Sequence, residues 1–220
     1  MEVFYIFLGF GVLLLLILLW NARVERQRRE ALQRIAKDLG MTFSAEGVGA
    51  SSLGVADLRL FRMGRSRRFS NALVGKNQDV MVSVFDYRYV TGSGKNQSTS
   101  SQTVAGFQAE ELALPAFELR PENVFHKIGQ AFGYRDFDFP DYPEFSRRYI
   151  LRGEDETAVR QLFDSELIRF VEGLKGVSIE GEGDRLIVYR ARRRLKVAQI
   201  RECMDEGFRV YGRFRGQASS

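Results

Sequence analysis

The sequence predicts an α+β protein: one N-terminal transmembrane helix, then a soluble antiparallel-sheet domain with helices packed on it. Three observations carry that expectation. The run from Val3 to Trp20, VFYIFLGFGVLLLLILLW, holds no charge and no Pro. The middle of the chain is rich in β-branched and aromatic strand formers, above all DVMVSVFDYRYV over 79–90. The last third alternates strand and helix patterns in the order β-α-β-β-α, the order of a ferredoxin-like unit without its last strand.

At about 1.5 Å rise per residue, a helix over the apolar run reaches roughly 27 Å, close to the hydrocarbon thickness of a bilayer. Trp20 closes the run and Phe4 and Tyr5 stand near its start, where amphipathic rings prefer the headgroup level. Gly9 and Gly11 lie two apart, which is not the spacing of a helix-dimer motif. A cleaved signal peptide is the competing reading, but the only charge ahead of the run is Glu2, and no A-x-A site closes it. A buried core helix fits the length and flanks less well still. Arg23, Arg26, Arg28, Arg29, Arg34 and Lys37 follow the run, and no Lys or Arg precedes it. Basic flanks stay on the cytoplasmic side. The expectation is a single-pass protein with its N-terminus outside and its C-terminal domain in the cytoplasm.

The chain then divides into an anchor over 1–22, a charged juxtamembrane helix over 23–39, a soluble α+β domain over 40–212 and a disordered tail over 213–220. The soluble part has room for one core, or for two subdomains meeting near 133–146. With 18 Phe, the core should be aromatic-rich. Cys203 is the only cysteine, which excludes an intrachain disulfide and suits a reducing compartment. A net charge of +5 leans weakly toward anionic partners.

The juxtamembrane helix carries an apolar stripe of Ala31, Leu32, Ile35, Ala36 and Leu39, and Gly40 is a natural stop. Its polar first half reads as a stalk, with pairs Glu25–Arg29 and Glu30–Arg34 four residues apart, and its second half docks on the domain. GVGASSLG is a small-residue loop, after which Leu58, Leu60 and Phe61 suggest a strand. Arg62, Arg65, Arg67 and Arg68 gather around Gly64 as a solvated turn or a membrane-surface patch. In the central strand, Val80, Val82 and Val84 face one way and Met81, Phe85, Tyr87 and Tyr89 the other, so both faces should be covered. Asn77-Gln78 turns the hairpin before it, from a strand near Leu73 and Val74. TGSGKNQSTS leads into a return strand over 103–107.

The segment 112–120 reads as extended, with Pro115 favouring an edge or a bend, and 121–132 as a short helix with Pro121 in its first turn. The third part gives a strand over 147–152, then a helix over 157–174 with a break near Asp164-Ser165. A hairpin across GEGD and a final helix over 195–211 complete it.

Chemistry is sparse. Gly92-Ser93-Gly94-Lys95 invites a phosphate-loop reading, but Tyr89 stands where the first Gly belongs, Asn96 follows the Lys, and no helix pattern comes next. Asp136, Asp138, Asp141 and Glu144 could offer oxygen ligands to a hard cation, yet the EF-hand spacing and its Gly are missing. His126, the only histidine, excludes multi-histidine zinc sites, and a Cys203–His126 pair is the one nucleophilic option. Arg190, Arg192, Arg193, Arg194 and Lys196 form the densest basic run, a solvated strand end or a lipid contact.

FDYRY with its TGSGK loop, LPAFELRPE, FGYRDFDFPDYPEFSRRY and LRGEDE resemble an uncharacterised family of bacterial membrane-anchored proteins, over about 39–189. That resemblance implies a bacterial inner-membrane context, no assigned activity and no site residues. The function expected from the residues is a non-enzymatic module on the cytoplasmic face. It would hold membrane lipid through Val3 to Trp20 and bind a protein partner or the anionic surface, with Arg23, Arg26, Arg28, Arg29, Arg190, Arg192, Arg193, Arg194 and Lys196 as membrane-surface candidates. No cofactor is expected. One alternative is a metal-dependent hydrolase using the acidic loop; the other is nucleic-acid binding through Arg190 to Lys196, for which no recognised motif is present.

Overall fold

A computed structural model describes residues 2–77, 79–122 and 135–218; the side chains at 2, 3, 6, 8, 135, 217 and 218 lie outside that description. Helix α1 runs unbroken from Glu2 to Asp38, 37 residues, so the expected anchor and juxtamembrane helix are one rod. Leu, Arg, Glu and Ala are strong helix formers, and no Pro interrupts them. The described apolar side chains from Phe4 to Trp20 are exposed, Leu16 at 58% and Trp20 at 69%. Among the described residues no helix is long and apolar enough to cross a membrane. The 3–20 run contains Val3, Ile6 and Leu8, whose side chains lie outside that description.

The helix ends as its sequence dictates. Gly40 sits at φ +67°, and its N–H donates to the Lys37 carbonyl while the Met41 N–H reaches back to Ala36 at 2.8 Å. This six-to-one closure satisfies carbonyls the last turn would leave bare, and it turns the chain into the sheet.

One antiparallel sheet of nine strands follows, in the order β1-β2-β3-β4-β9-β8-β5-β7-β6. Its strands are β1 Thr42–Ser44, β2 Arg65–Lys76, β3 Met81–Thr91, β4 Ser98–Gln108, β5 Leu114–Pro121, β6 Arg135–Phe137, β7 Tyr149–Gly153, β8 Ser178–Gly183 and β9 Arg185–Tyr189. The helices α2 Pro143–Arg148, α3 Glu156–Leu162, α4 Ser165–Gly173 and α5 Ile200–Ala218 pack with the second half of α1 on one face. That core joins Leu32 and Ala36 of α1 to Val82, Val84, Leu119, Leu151, Ile179, Val188 and Phe214. The other face is covered by the segment before β2. Leu53, Val55, Leu58, Leu60 and Phe61 pack there on Phe85, Tyr87, Tyr89, Val104 and Ile187. The alternation of β3 is thus realised with both faces buried, and the sheet is continuous across both halves of the chain.

Several expectations are corrected. The sheet is larger than a ferredoxin-like unit. β7 and β8 are both antiparallel to β5, which lies between them where a ferredoxin-like order would put β9. β9 pairs outward with β4 instead and closes the two halves into one sheet. The stretch around Leu58 and Leu60 is a 3-10 turn over Arg59–Arg62, not a strand. Pro115 is on an interior strand, at a register shift between Leu114 and Phe117 that spares it a ladder N–H. Pro121 ends β5; the helix expected after it, beyond Glu122, lies outside the described residues, as do His126 and Gln78. Arg147 and Arg148 belong to α2 rather than to the strand. The expected tail is helical to Ala218, with Phe214 fully buried. The break in the 157–174 helix falls where expected. Asp164 caps α4 by accepting from the N–H groups of Glu166 and Leu167 at 3.0 and 2.8 Å.

Candidate membrane-facing site

Asp86 lies at 6% exposure on the helix-bearing face of β3, one step past Val84 in the alternation. Arg28 of α1 grips it with both arms of its fork, at 3.1 and 3.0 Å, and donates to the Leu195 carbonyl at 2.7 Å. Arg194 donates to the same carboxylate at 2.8 Å and to Glu25 at 2.8 and 2.9 Å. Asn71 bridges Glu25 and Asp86, held at φ +53° by the bulge between Ser70 and Leu73, and Thr103 completes the set at 2.8 Å. Burial alone would raise the Glu25 carboxyl, but hydrogen bonds from Arg194 and Asn71, with the charges of Arg194 and Arg28, hold it below the usual carboxylate range. Arg194 is raised: burial works against its charge, and Glu25 and Asp86 outweigh it.

This clasp changes the roles of two candidate lipid ligands. Arg28 and Arg194 are brought together, as hands on one buried carboxylate. The expected stalk is docked already at Glu25, and Glu25 pairs with Arg194 rather than with Arg29, which meets Glu46 at 2.6 Å. Arg26 pairs with Glu30 at 2.9 Å and Arg190 with Glu206 at 2.8 Å. Arg23, Arg192, Arg193 and Lys196 are exposed. Of the other basic cluster, Arg67 donates to the Phe61 carbonyl at 2.6 Å, Arg62 lies 3.8 Å from Asp57, and Arg65 donates to the Gly92 carbonyl and to Gln97. Arg65 therefore ties the start of β2 to the β3–β4 loop. In that loop Gly94–Asn96 is a 3-10 turn leading into β4, so no helix N-terminus is presented to a phosphate.

The acidic loop is dispersed. Asp136 pairs with Arg152 and Glu144 with Arg147, while Asp138 and Asp141 are exposed. Between them Phe137, Phe139 and Phe145 are buried and pin the loop to the core. Among the described residues no group of three or more His, Cys, Asp or Glu gathers as a metal site. Cys203 lines a small cleft of about 110 Å³ with Arg190 and Glu206, and burial first, then Glu206, pushes its thiol up to about 11.

A buried ionic cluster has no counterpart among the sequence expectations. Glu118 and Glu180 stand directly opposite each other on β5 and β8, on the face away from the helices. Arg120 contacts both, at 3.1 Å to Glu180; Arg59 lies 3.2 Å from Glu118; the Tyr189 hydroxyl and the Leu60 N–H donate to Glu180 at 2.7 and 2.8 Å. Burial pushes Glu118 up against the pull of Arg120. The cluster seats the 3-10 turn on the sheet. Its signal was the charged residue at alternate positions of FELR and SIEGEG, which reads equally well as a solvated face.

Fold and clasp together define a class: a long N-terminal helix bound through its second half to a nine-stranded antiparallel sheet whose other face is covered by a loop segment. The crystal structure of the mycobacterial trehalose monomycolate transport factor A, TtfA, is similar, with a TM-score of 0.60 over 89% of this chain and 94% of that one, at 15% identity. That likeness is one of fold. No family model and no curated protein matches the chain.

Proposed function

We propose that this protein is a single-pass, membrane-anchored interaction module, with the first half of α1 in a bilayer and the sheet domain held against the cytoplasmic face of a bacterial plasma membrane. The observation that carries it is the division of one continuous helix. Its first half exposes leucines and aromatics on every side, and its second half is locked to the domain through Arg28, Asp86 and Arg194. A helix apolar all round needs an apolar surrounding, and the run has the length of a bilayer core. The basic flank after Trp20 supports the cytoplasmic placement of the domain. The resemblance to bacterial membrane-anchored proteins points the same way.

The test is extraction of membranes from cells making the full chain. The wild type should stay with carbonate-washed membranes, and a Leu13→Arg, Ile17→Glu variant should move to the soluble fraction; wild-type protein washed off by carbonate ends the proposal. Orientation is tested at Glu110→Cys, exposed on the turn before β5. Protection from an impermeant maleimide in intact cells supports a cytoplasmic domain, and labelling there reverses it.

A second reading has one observation behind it. The similar TtfA structure is that of a transport factor, which supports a role as accessory to transport of a membrane lipid or glycolipid. Co-purification of the full chain, in detergent, with a stoichiometric membrane transporter distinguishes this role from a lipid-only contact.

A further inference from the structure

We propose that the end of the sheet from which α1 emerges is a rim for anionic phospholipid headgroups. This rests on the anchored reading above and specifies what the domain touches.

Two fixed points orient α1 against β3. Arg28 is level with Asp86, and the Gly40 turn delivers Thr42 opposite Val74, which itself pairs with Ser83. Moving toward the N-terminus of α1 is therefore moving from Ser83 past Asp86 to Arg88 and Val90. Two strand residues beyond Asp86 is about 7 Å, or roughly five residues of helix, which sets Arg88 near the level of Arg23 and just short of Trp20.

At that level the structure gathers three parts of the chain that lie apart in sequence: the start of β2, β3 with the loop that follows it, and the link to α5. Arg65 and Arg68 come from the start of β2, Arg88 from β3, Lys95 from the loop, and Arg192 and Arg193 from the link to α5; all six are exposed. Among the described residues Arg65 and Arg192 donate to neutral groups, the Gly92 carbonyl, Gln97 and Ser98. Among the described residues none of the six meets a carboxylate, because Glu25 and Asp86 are already taken by Arg28 and Arg194.

Arg68 and Arg88 stand directly opposite each other in the β2–β3 register. Like charges in that position repel. The far end of the same strands is mixed: Asp79, Glu110, Glu111 and Asp184 stand around an open cleft with Lys76, and Glu111 and Asp184 pair with Arg215 and Arg185. Among the described residues, cations that meet no carboxylate thus gather where the apolar helix leaves, whereas at the far end cations and carboxylates are mixed. An anionic leaflet attracts cations within a Debye length of its surface and would relieve the Arg68–Arg88 contact.

The test uses the full chain in nanodiscs of phosphatidylcholine, with and without phosphatidylglycerol. An environment-sensitive fluorophore is placed on Ser93→Cys in a Cys203→Ser background and read by quenching with acrylamide, a neutral quencher indifferent to surface potential. We expect quenching to fall roughly twofold or more in anionic discs, to recover in high salt, and to lose its lipid dependence in Arg68→Gln/Arg88→Gln. That variant removes a repulsive contact, so its melting temperature should equal or exceed the wild type's. Equal quenching in both lipids overturns the rim and leaves the anchor standing. Failure to enter discs at all overturns the anchor and the rim with it. Shielding in neutral discs by added RNA, with none by anionic lipid, would reassign the rim to nucleic acid.

Discussion

Asp86 is the residue on which the most depends. Its carboxylate satisfies two arginines, an asparagine and a threonine drawn from four separate stretches of chain. Asp86→Ala would leave Arg28, 11% exposed, without its counter-charge, and should cost about 3 kcal/mol in chemical denaturation of the detergent-solubilised chain. Glu25 makes the clasp sensitive to acid. Its carboxyl is held below the ordinary 4.5, so it stabilises the fold above that value, and the contribution disappears as pH falls through the lowered pKa. The stability difference between wild type and Glu25→Gln should therefore be present at neutral pH and shrink to nothing in strong acid. Cys203 makes the opposite kind of prediction. With its thiol pushed up to about 11, maleimide labelling of the folded protein should be slow at neutral pH, accelerate toward alkaline pH, and jump on denaturation.

At the scale of elements, the cover of the second face is the most exacting contact. A Cβ at Gly106 would stand 2.6 Å from Val55 and 2.7 Å from Ser83. Gly106→Ala should therefore lift the 48–63 segment, lower stability by about 1–3 kcal/mol, and open GVGASSLG to limited proteolysis. Helix stops and strand alternation were legible in the sequence because they are local. Gly40 ended α1, Asp164 broke the 157–174 helix, and β3 showed its two faces by parity alone. What failed was decided at a distance. Leu58, Leu60 and Phe61 read as a strand from composition, but they are a turn pressed onto Tyr87 and Glu180 from above. Pro115 read as an edge because the bulge that accommodates it belongs to its pairing with β8.

For the whole molecule, the sequence marked out an apolar run, a basic flank and two basic clusters, but not that the clusters share an end or that Arg28 of the flank and Arg194 of a cluster are spent on Asp86. No local pattern encodes which carboxylate an arginine will meet across more than a hundred residues. The strand order was hidden for the same reason: β5 is inserted between two strands made after it, and β9, the last strand, pairs with β4. That pairing has a consequence for the growing chain. Translated from the N-terminus, the β1–β4 meander is complete long before Arg185 is made, and until then β4 is an open edge carrying Val104 and Phe107. An unpaired apolar edge is a template for its neighbours on a polysome. Chains truncated before residue 185 should accumulate as aggregates, and chains carrying β9 should escape them, so the final strand acts as the seal that ends the nascent protein's exposure.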